Sequence, residues 1–320
     1  MRSALLILPI LSGVMWGAAG IFVRFLSDFG MDGATITFTR TMVATLMMAV
    51  IVLAIDRTLF RFRLHDIWLF LGCALSMTGL NLCYTVAADT LSLSLAAVLL
   101  SMSPVFMVVI AHAVFGERIT SRKVVCITVS IMGCVLVSGL LESGTSLSAL
   151  GVMTGIAAAF FYALYGILSK RAASEGYSVY TVLFYCLLFS AVGLVPFTDF
   201  GVVSDYVGEG AWNIGFLILQ SAVASVLPYI LYTTAMARIE AGTGSILAAC
   251  GEPVAAAMFG LLVFAEVPTP LMVVGMVMAI GSMALMCMQP KPKGPGTGRS
   301  REGLGHRHAH HTRATCLHEA

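Results

Sequence analysis

Glu252 has the most chemistry to explain in this chain. It lies near the middle of the apolar run TGSILAACGEPVAAAMFGLLVF, residues 243–264. An ionised carboxylate at that depth of a bilayer costs several kcal/mol unless it is paired or wet. Glu252 must therefore be protonated, paired or turned toward a cavity. The proton affinity of a carboxyl depends on burial and on neighbouring cations, so surroundings that change during a working cycle would let Glu252 bind and release a proton. The structural alternative is a permanently protonated Glu252 that donates a hydrogen bond to an adjacent helix beside Pro253.

A second set of residues suits recognition of a solute. Trp16, Tyr84, Tyr162, Tyr165, Tyr229 and Tyr232 lie in apolar runs, and the pairs Tyr162 with Tyr165 and Tyr229 with Tyr232 are spaced to share one helix face. Each pair offers apolar rings and hydroxyls to an amphipathic molecule. Interfacial anchoring is the alternative, strongest for Tyr84 and Tyr232 near the ends of their runs. Arg40 could bind a substrate carboxylate or reach the membrane surface by snorkelling. Pro104 and Pro253 are expected to break their helices and free the carbonyls of Leu100 and Ala249, which only protein or a wet cavity can satisfy in lipid. Ser101 and Ser103 beside Pro104 leave room for close helix contact or for a ligand. The prolines could also do no more than kink the helices for packing. Asn81 and Gln220 are candidates for hydrogen bonds between helices, His112 for an interfacial one, and Gly13 with Gly17 for close helix contact.

The elements that must position these residues are apolar. Hydrophobic residues make up 59% of the chain and charged residues 11%, against about 25% charged in an ordinary soluble domain, and the mean hydropathy is +0.95. Ten stretches, near 4–26, 34–55, 66–88, 92–114, 122–141, 149–170, 178–198, 212–236, 243–264 and 269–288, approach the roughly 20 residues that a membrane-spanning helix needs. The predicted fold is an all-α polytopic membrane protein. Residues 91–120 recur as residues 240–269, matching Pro104 with Pro253, Phe115 with Phe264, Glu117 with Glu266 and Thr120 with Thr269. Trp16 aligns with Tyr162, and Tyr84 with Tyr232. The expected units are two five-helix repeats, 1–141 and 142–288, followed by a tail, 289–320.

Alternate connections carry the positive charge: Arg57, Arg61 and Arg63, then Arg118, Arg122 and Lys123, then Lys170 and Arg171, then Arg238. The others carry Asp28, Asp32, Asp89, Glu142, Asp199, Asp205, Glu209 and Glu266, with Arg24 as the only basic residue on that side. Cytoplasmic loops retain Lys and Arg, so both termini are expected in the cytoplasm. Five spans per repeat then invert the second repeat relative to the first, the plan of many secondary transporters.

The five-plus-five layout, the Tyr-x-x-Ala of Tyr84 and Tyr232, and the Pro-Val runs that end in Phe-Gly-Glu and Phe-Ala-Glu resemble the EamA-type branch of the drug/metabolite transporter superfamily. The resemblance covers about residues 4–288. It implies a ten-helix transporter of the bacterial inner membrane with a central cavity between its halves, exporting amino acids or other small metabolites. Ser103 stands where the second repeat has Glu252 of the more family-like Glu-Pro pair, so coupling chemistry is expected to be asymmetric.

Seven of the eight cysteines lie inside apolar runs, without metal or redox spacing, and Cys316 stands alone in the tail. The apolar run at the start is too long for a signal peptide, so the first segment is expected to be retained. The tail is rich in Pro, Gly, Arg and His and reads as disordered and cytoplasmic. Its His306, His308, His310 and His311 are a compositional signal without fixed geometry. No Walker loop, His-Glu-x-x-His or nucleotide fingerprint of the right context appears, so neither a cofactor nor an ATP-driven step is expected. The expected partners are a small-molecule substrate, the lipid bilayer and a coupled proton, with no nucleic acid. Homodimer formation stays open. A membrane enzyme or an assembly scaffold is the other class of function. An enzyme would want paired ionisable residues at one membrane face, and a scaffold would not need duplicated broken helices.

Overall fold

The computed structural model describes residues 2–91, 96, 99–137, 148–264 and 269–288. Glu142, Glu266 and the tail lie outside the described residues. Among those described, the chain is helical and contains no strand. The first repeat contributes α1 (Arg2–Asp28), α2 (Gly33–Ile55), α3 (Ile67–Thr90), α4 (Ser103–Phe115) and α5 (Ser121–Val137). The second contributes α6 (Ala149–Ser174), α7 (Val179–Leu194), a short α8 (Phe200–Gly208), α9 (Ala211–Ser221) continuing into α10 (Leu227–Met236), α11 (Ala241–Phe264) and α12 (Pro270–Cys287). With α9 and α10 counted as one span, these are ten apolar segments, and α8 is an extra turn-and-helix between two of them. Seven are long and apolar enough to cross a membrane. At 24 residues, α11 has the length as well.

Local chemistry explains where the helices begin. Asp32 accepts from the Thr35 amide at 3.0 Å to start α2. Ser148, Ser178 and Thr269 cap α6, α7 and α12 in the same way, supplying acceptors to first-turn N–H groups that have no partner within the helix. Along α2 the hydroxyls of Thr37, Thr41 and Thr45 each donate to the carbonyl one turn back. That lets a threonine-rich helix sit in the bundle without unpaired hydroxyls.

Packing exchanges the repeats. The second helices of the two repeats, α2 and α7, pack together, as do the fifth, α5 and α12. The pair α1 with α11 is answered by α6 with α4, and α3 with α6 by the α9–α10 span with α1. Each of these named contacts thus has a counterpart with the halves interchanged. With five spans per repeat, the two-fold axis that produces this lies in the membrane plane, giving two inverted repeats. Small residues allow the closest of these contacts: a Cβ added to Gly13 on α1 would collide with the Ala248 carbonyl of α11.

The connections sort to opposite ends of the bundle. At the basic end, Tyr177 donates to Asp66 at 2.6 Å and its oxygen accepts from the Arg63 amide, while Thr181 and Tyr185 donate to the carbonyls of Leu59 and Phe60. At the acidic end, the Asp199 amide donates to Thr35 at 3.0 Å, and the rings of Phe29 and Tyr206 meet edge to face.

The two prolines are used differently. Pro104 was expected inside a helix, but α4 begins at Ser103, so the proline lies in its first turn, where its missing N–H costs nothing. The break precedes it, at a turn over Ser101 and Met102. The helix α11, by contrast, runs unbroken through Pro253.

Candidate functional site

Five aromatic rings from three helices meet inside the bundle. Trp16 of α1 lies with its ring centroid 5.7 Å from Tyr162 of α6, and 5.2 and 5.4 Å from Tyr229 and Tyr232 of α10. Tyr162 stacks on Tyr232 at 5.8 Å, and Tyr165 reaches both Tyr229 and Tyr232. The three-residue spacing read from the sequence therefore does place each pair on one inward face. Tyr232 is fully buried, which removes interfacial anchoring as its role. Tyr185 joins a different group, with Phe62 and Phe70 near the basic end.

A departure from α-helical geometry aims two of these rings. Residues Ala222–Val226 form a π-helical turn between α9 and α10, ending two residues before Pro228. Proline cannot donate to the preceding turn and its ring needs room there. The wider turn supplies that room and changes the rotation of α10, and such turns recur at functional sites. The sequence offered one signal for it, a proline within the run 212–236.

Hydroxyls gather around the rings. Tyr165 hydrogen-bonds Thr233 at 3.0 Å. The buried hydroxyls of Tyr162, Tyr232, Ser103 and Ser245 have no hydrogen-bond partner. Ser245 and Tyr162 both lie close to the Tyr232 hydroxyl but outside hydrogen-bonding geometry. Polar groups this buried are ordinarily paired.

Glu252 sits at the middle of α11 and is half-buried rather than enclosed. Its carboxylate forms no hydrogen bond or ion pair with the described residues, and it lies within electrostatic range of Tyr84, Tyr162, Tyr229 and Cys134. Cys134 in turn lies beside Ser101. Glu252 thus faces the aromatic cluster from the side of α3, α5 and α11. Arg40 of α2 approaches from another side: it donates to Asn81 of α3 at 2.8 Å and acts electrostatically on Tyr229. The structure therefore connects Trp16, Tyr84, Tyr162, Tyr165, Tyr229, Tyr232, Arg40, Ser101 and Glu252 into one region. It leaves Ser103 as a buried, unpartnered hydroxyl at the start of α4. Gln220, read as a partner between helices, is buried with neither end of its amide bonded.

Sequence reasoning counted Lys123 and Lys170 only as topology signals, but they belong to a network at the basic end. Glu117 accepts from Lys170 at 2.8 Å and from the first amides of α11, Ala241 at 2.7 Å and Gly242 at 3.3 Å. Lys123 lies 3.5 Å from Glu117 and 2.8 Å from Glu240. Lys170 also donates to the Ile239 carbonyl. Burial alone would raise the Glu117 carboxyl, but the Lys170 ammonium and the two amides outweigh it and hold the group below its ordinary value. The connection after α4 is thereby tied to α6 and α11 of the other repeat. No group of metal-binding side chains occurs among the described residues.

Comparison with known proteins adds the following. The EamA-like transporter family matches residues 2–139 and again residues 149–288. A protein of Archaeoglobus fulgidus described as an uncharacterized transporter is 27% identical over 281 residues, covering 86% of this chain and 93% of its own. The uncharacterized inner membrane transporter YhbE of Escherichia coli K12 is 26% identical over 76% of each chain. A solved crystal structure covers 89% of this chain with a TM-score of 0.74 at 16% identity, a likeness of fold.

Proposed function

Because this chain belongs to the EamA-like transporter family, we propose that it is a secondary transporter that exports a small amphipathic metabolite, such as an amino acid, by alternating access coupled to protons. The observation that carries this reading is Glu252. It is a half-buried carboxylate without an ion-pair partner among the described residues, at mid-helix, beside rings drawn from both repeats. A solute that slips among Trp16, Tyr162, Tyr229 and Tyr232 would bury its apolar part against them and satisfy the orphan hydroxyls of Tyr162, Tyr232 and Ser245. Glu252 would exchange its proton as the site turns from one side of the membrane to the other.

The basic end is assigned to the cytoplasm, with both termini there, on the distribution of Lys and Arg. In this arrangement the Glu117 network closes the cytoplasmic end. Purified protein in vesicles loaded with a metabolite panel tests the reading: an imposed pH gradient should drive flux of at least one compound. Absence of flux for every compound, from protein shown to be folded, would contradict it.

A further inference from the structure

Among the described residues Arg40 has no charge partner. It is eight residues into α2, about 10 Å along the helix from its acidic end at 1.5 Å per residue. Asn81 on α3 lies at a similar depth, about 13 Å from that helix's acidic end. Among the described residues no carboxylate pairs with Arg40. Its Nη2 donates to the Asn81 oxygen at 2.8 Å, while its Nε is buried without a partner. Asn81 is itself fixed, because its amide nitrogen donates to the Met77 carbonyl one turn back at 2.7 Å. The amide oxygen is thereby held toward the guanidinium, and the orientation of the guanidinium follows. An arginine inside a membrane protein is costly without an opposite charge. A neutral amide supplies only one acceptor for five N–H donors in a planar fork. The remaining donors suit a two-oxygen anion, and Tyr229 connects this position to the ring cluster.

We infer that Arg40, oriented by Asn81, receives the carboxylate of the transported solute beside the ring cluster. The inference rests on the transport reading and narrows it to solutes that carry a carboxylate. It also assigns Asn81 as a positioning residue. Glu252, which lies within range of the same Tyr229, is then free to act on the proton or on the solute's ammonium group. A merely structural arginine would instead be indifferent to the solute's charge.

The test uses full-length protein in vesicles loaded with L-amino acids together with the corresponding carboxamides, which differ only at the carboxylate. Losing a charged hydrogen bond of about 1.5–3 kcal/mol makes the amides about tenfold or more poorer than the acids. Arg40→Gln should bring acids and amides to similar rates by slowing the acids. Asn81→Asp keeps the shape of the side chain but gives Arg40 an internal carboxylate. It should leave the melting temperature unchanged or higher and still abolish the preference for acids. Acids and amides carried equally by the unaltered protein would overturn the inference while leaving transport standing. So would a well-folded Asn81→Asp protein that keeps the full preference. Flux of amides alone would do the same, and flux of neither set would overturn both this inference and the amino-acid reading above.

Discussion

Glu117 and Lys170 meet at 2.8 Å across the two repeats, one from the connection that follows α4 and the other from the end of α6. The Glu117 side chain is 8% exposed, and it also accepts from the amides that begin α11. A carboxylate at a helix start gains from the free N–H groups and from the helix dipole as well as from the lysine. This one side chain therefore joins three helices at the basic end.

Glu117→Gln should lower stability by about 1.5–3 kcal/mol, the range for hydrogen bonds to a charged group. Lys170→Met should do the same. The double variant should cost less than the sum, since the two residues share an interaction. Apparent melting temperatures of the three variants check this, and full additivity would show that the pair is uncoupled.

The same carboxylate makes stability depend on pH. Its folded value lies below the ordinary 4.5, so its contribution is complete above that value and is lost as pH falls through the depressed one. Melting temperatures measured from neutral pH downward should decline less steeply in acid for Glu117→Gln than for the unaltered chain. Parallel declines would remove Glu117 as a source of the pH dependence.

Trp16 provides an optical report of the site. Trp68 and Trp212 are exposed, at 53% and 84%, so a solute entering the ring cluster should alter only the emission of Trp16. The response to substrate should survive replacement of Trp68 and Trp212 by Phe and vanish in Trp16→Phe. A response that persists without Trp16 would place the solute elsewhere.

Much of the fold was legible from residues 4–288 because apolar runs of bilayer length and a duplicated order of motifs leave few alternatives. The shared faces of Tyr162 with Tyr165 and of Tyr229 with Tyr232 were legible from helical spacing, but the stacking of Tyr162 on Tyr232 across two helices was not. The unlike treatment of Pro104 and Pro253 was not. Whether a proline opens a helix or rides within one depends on the turn before it, here Ser101 and Met102, and both copies carry the proline at the same place. The partners of Glu117 and Arg40 were hidden for a related reason. Lys170, Lys123 and Asn81 come from other helices, and their approach depends on the rotation of each helix about its axis, which an apolar run does not encode. The π-helical turn before Pro228 adds such a rotation within a single span.

The topology assigned from charge is open to a direct check. Reporter fusions after Arg63, Arg122 and Gln289 should behave as cytoplasmic, and fusions after Asp32 and Asp205 as external. An external report from the Gln289 fusion would reverse the assignment of the two ends.

Proton coupling through Glu252 is the central claim, and Glu252→Gln tests it most directly, because glutamine keeps the size and hydrogen-bonding capacity of the side chain and cannot ionise. Flux should be measured in vesicles with and without an imposed pH gradient, alongside Trp16 emission as the measure of solute binding. The expected result is a folded protein that binds solute, exchanges it down its own gradient and no longer responds to the pH gradient. Flux driven by the pH gradient at the unaltered rate in Glu252→Gln would contradict the account.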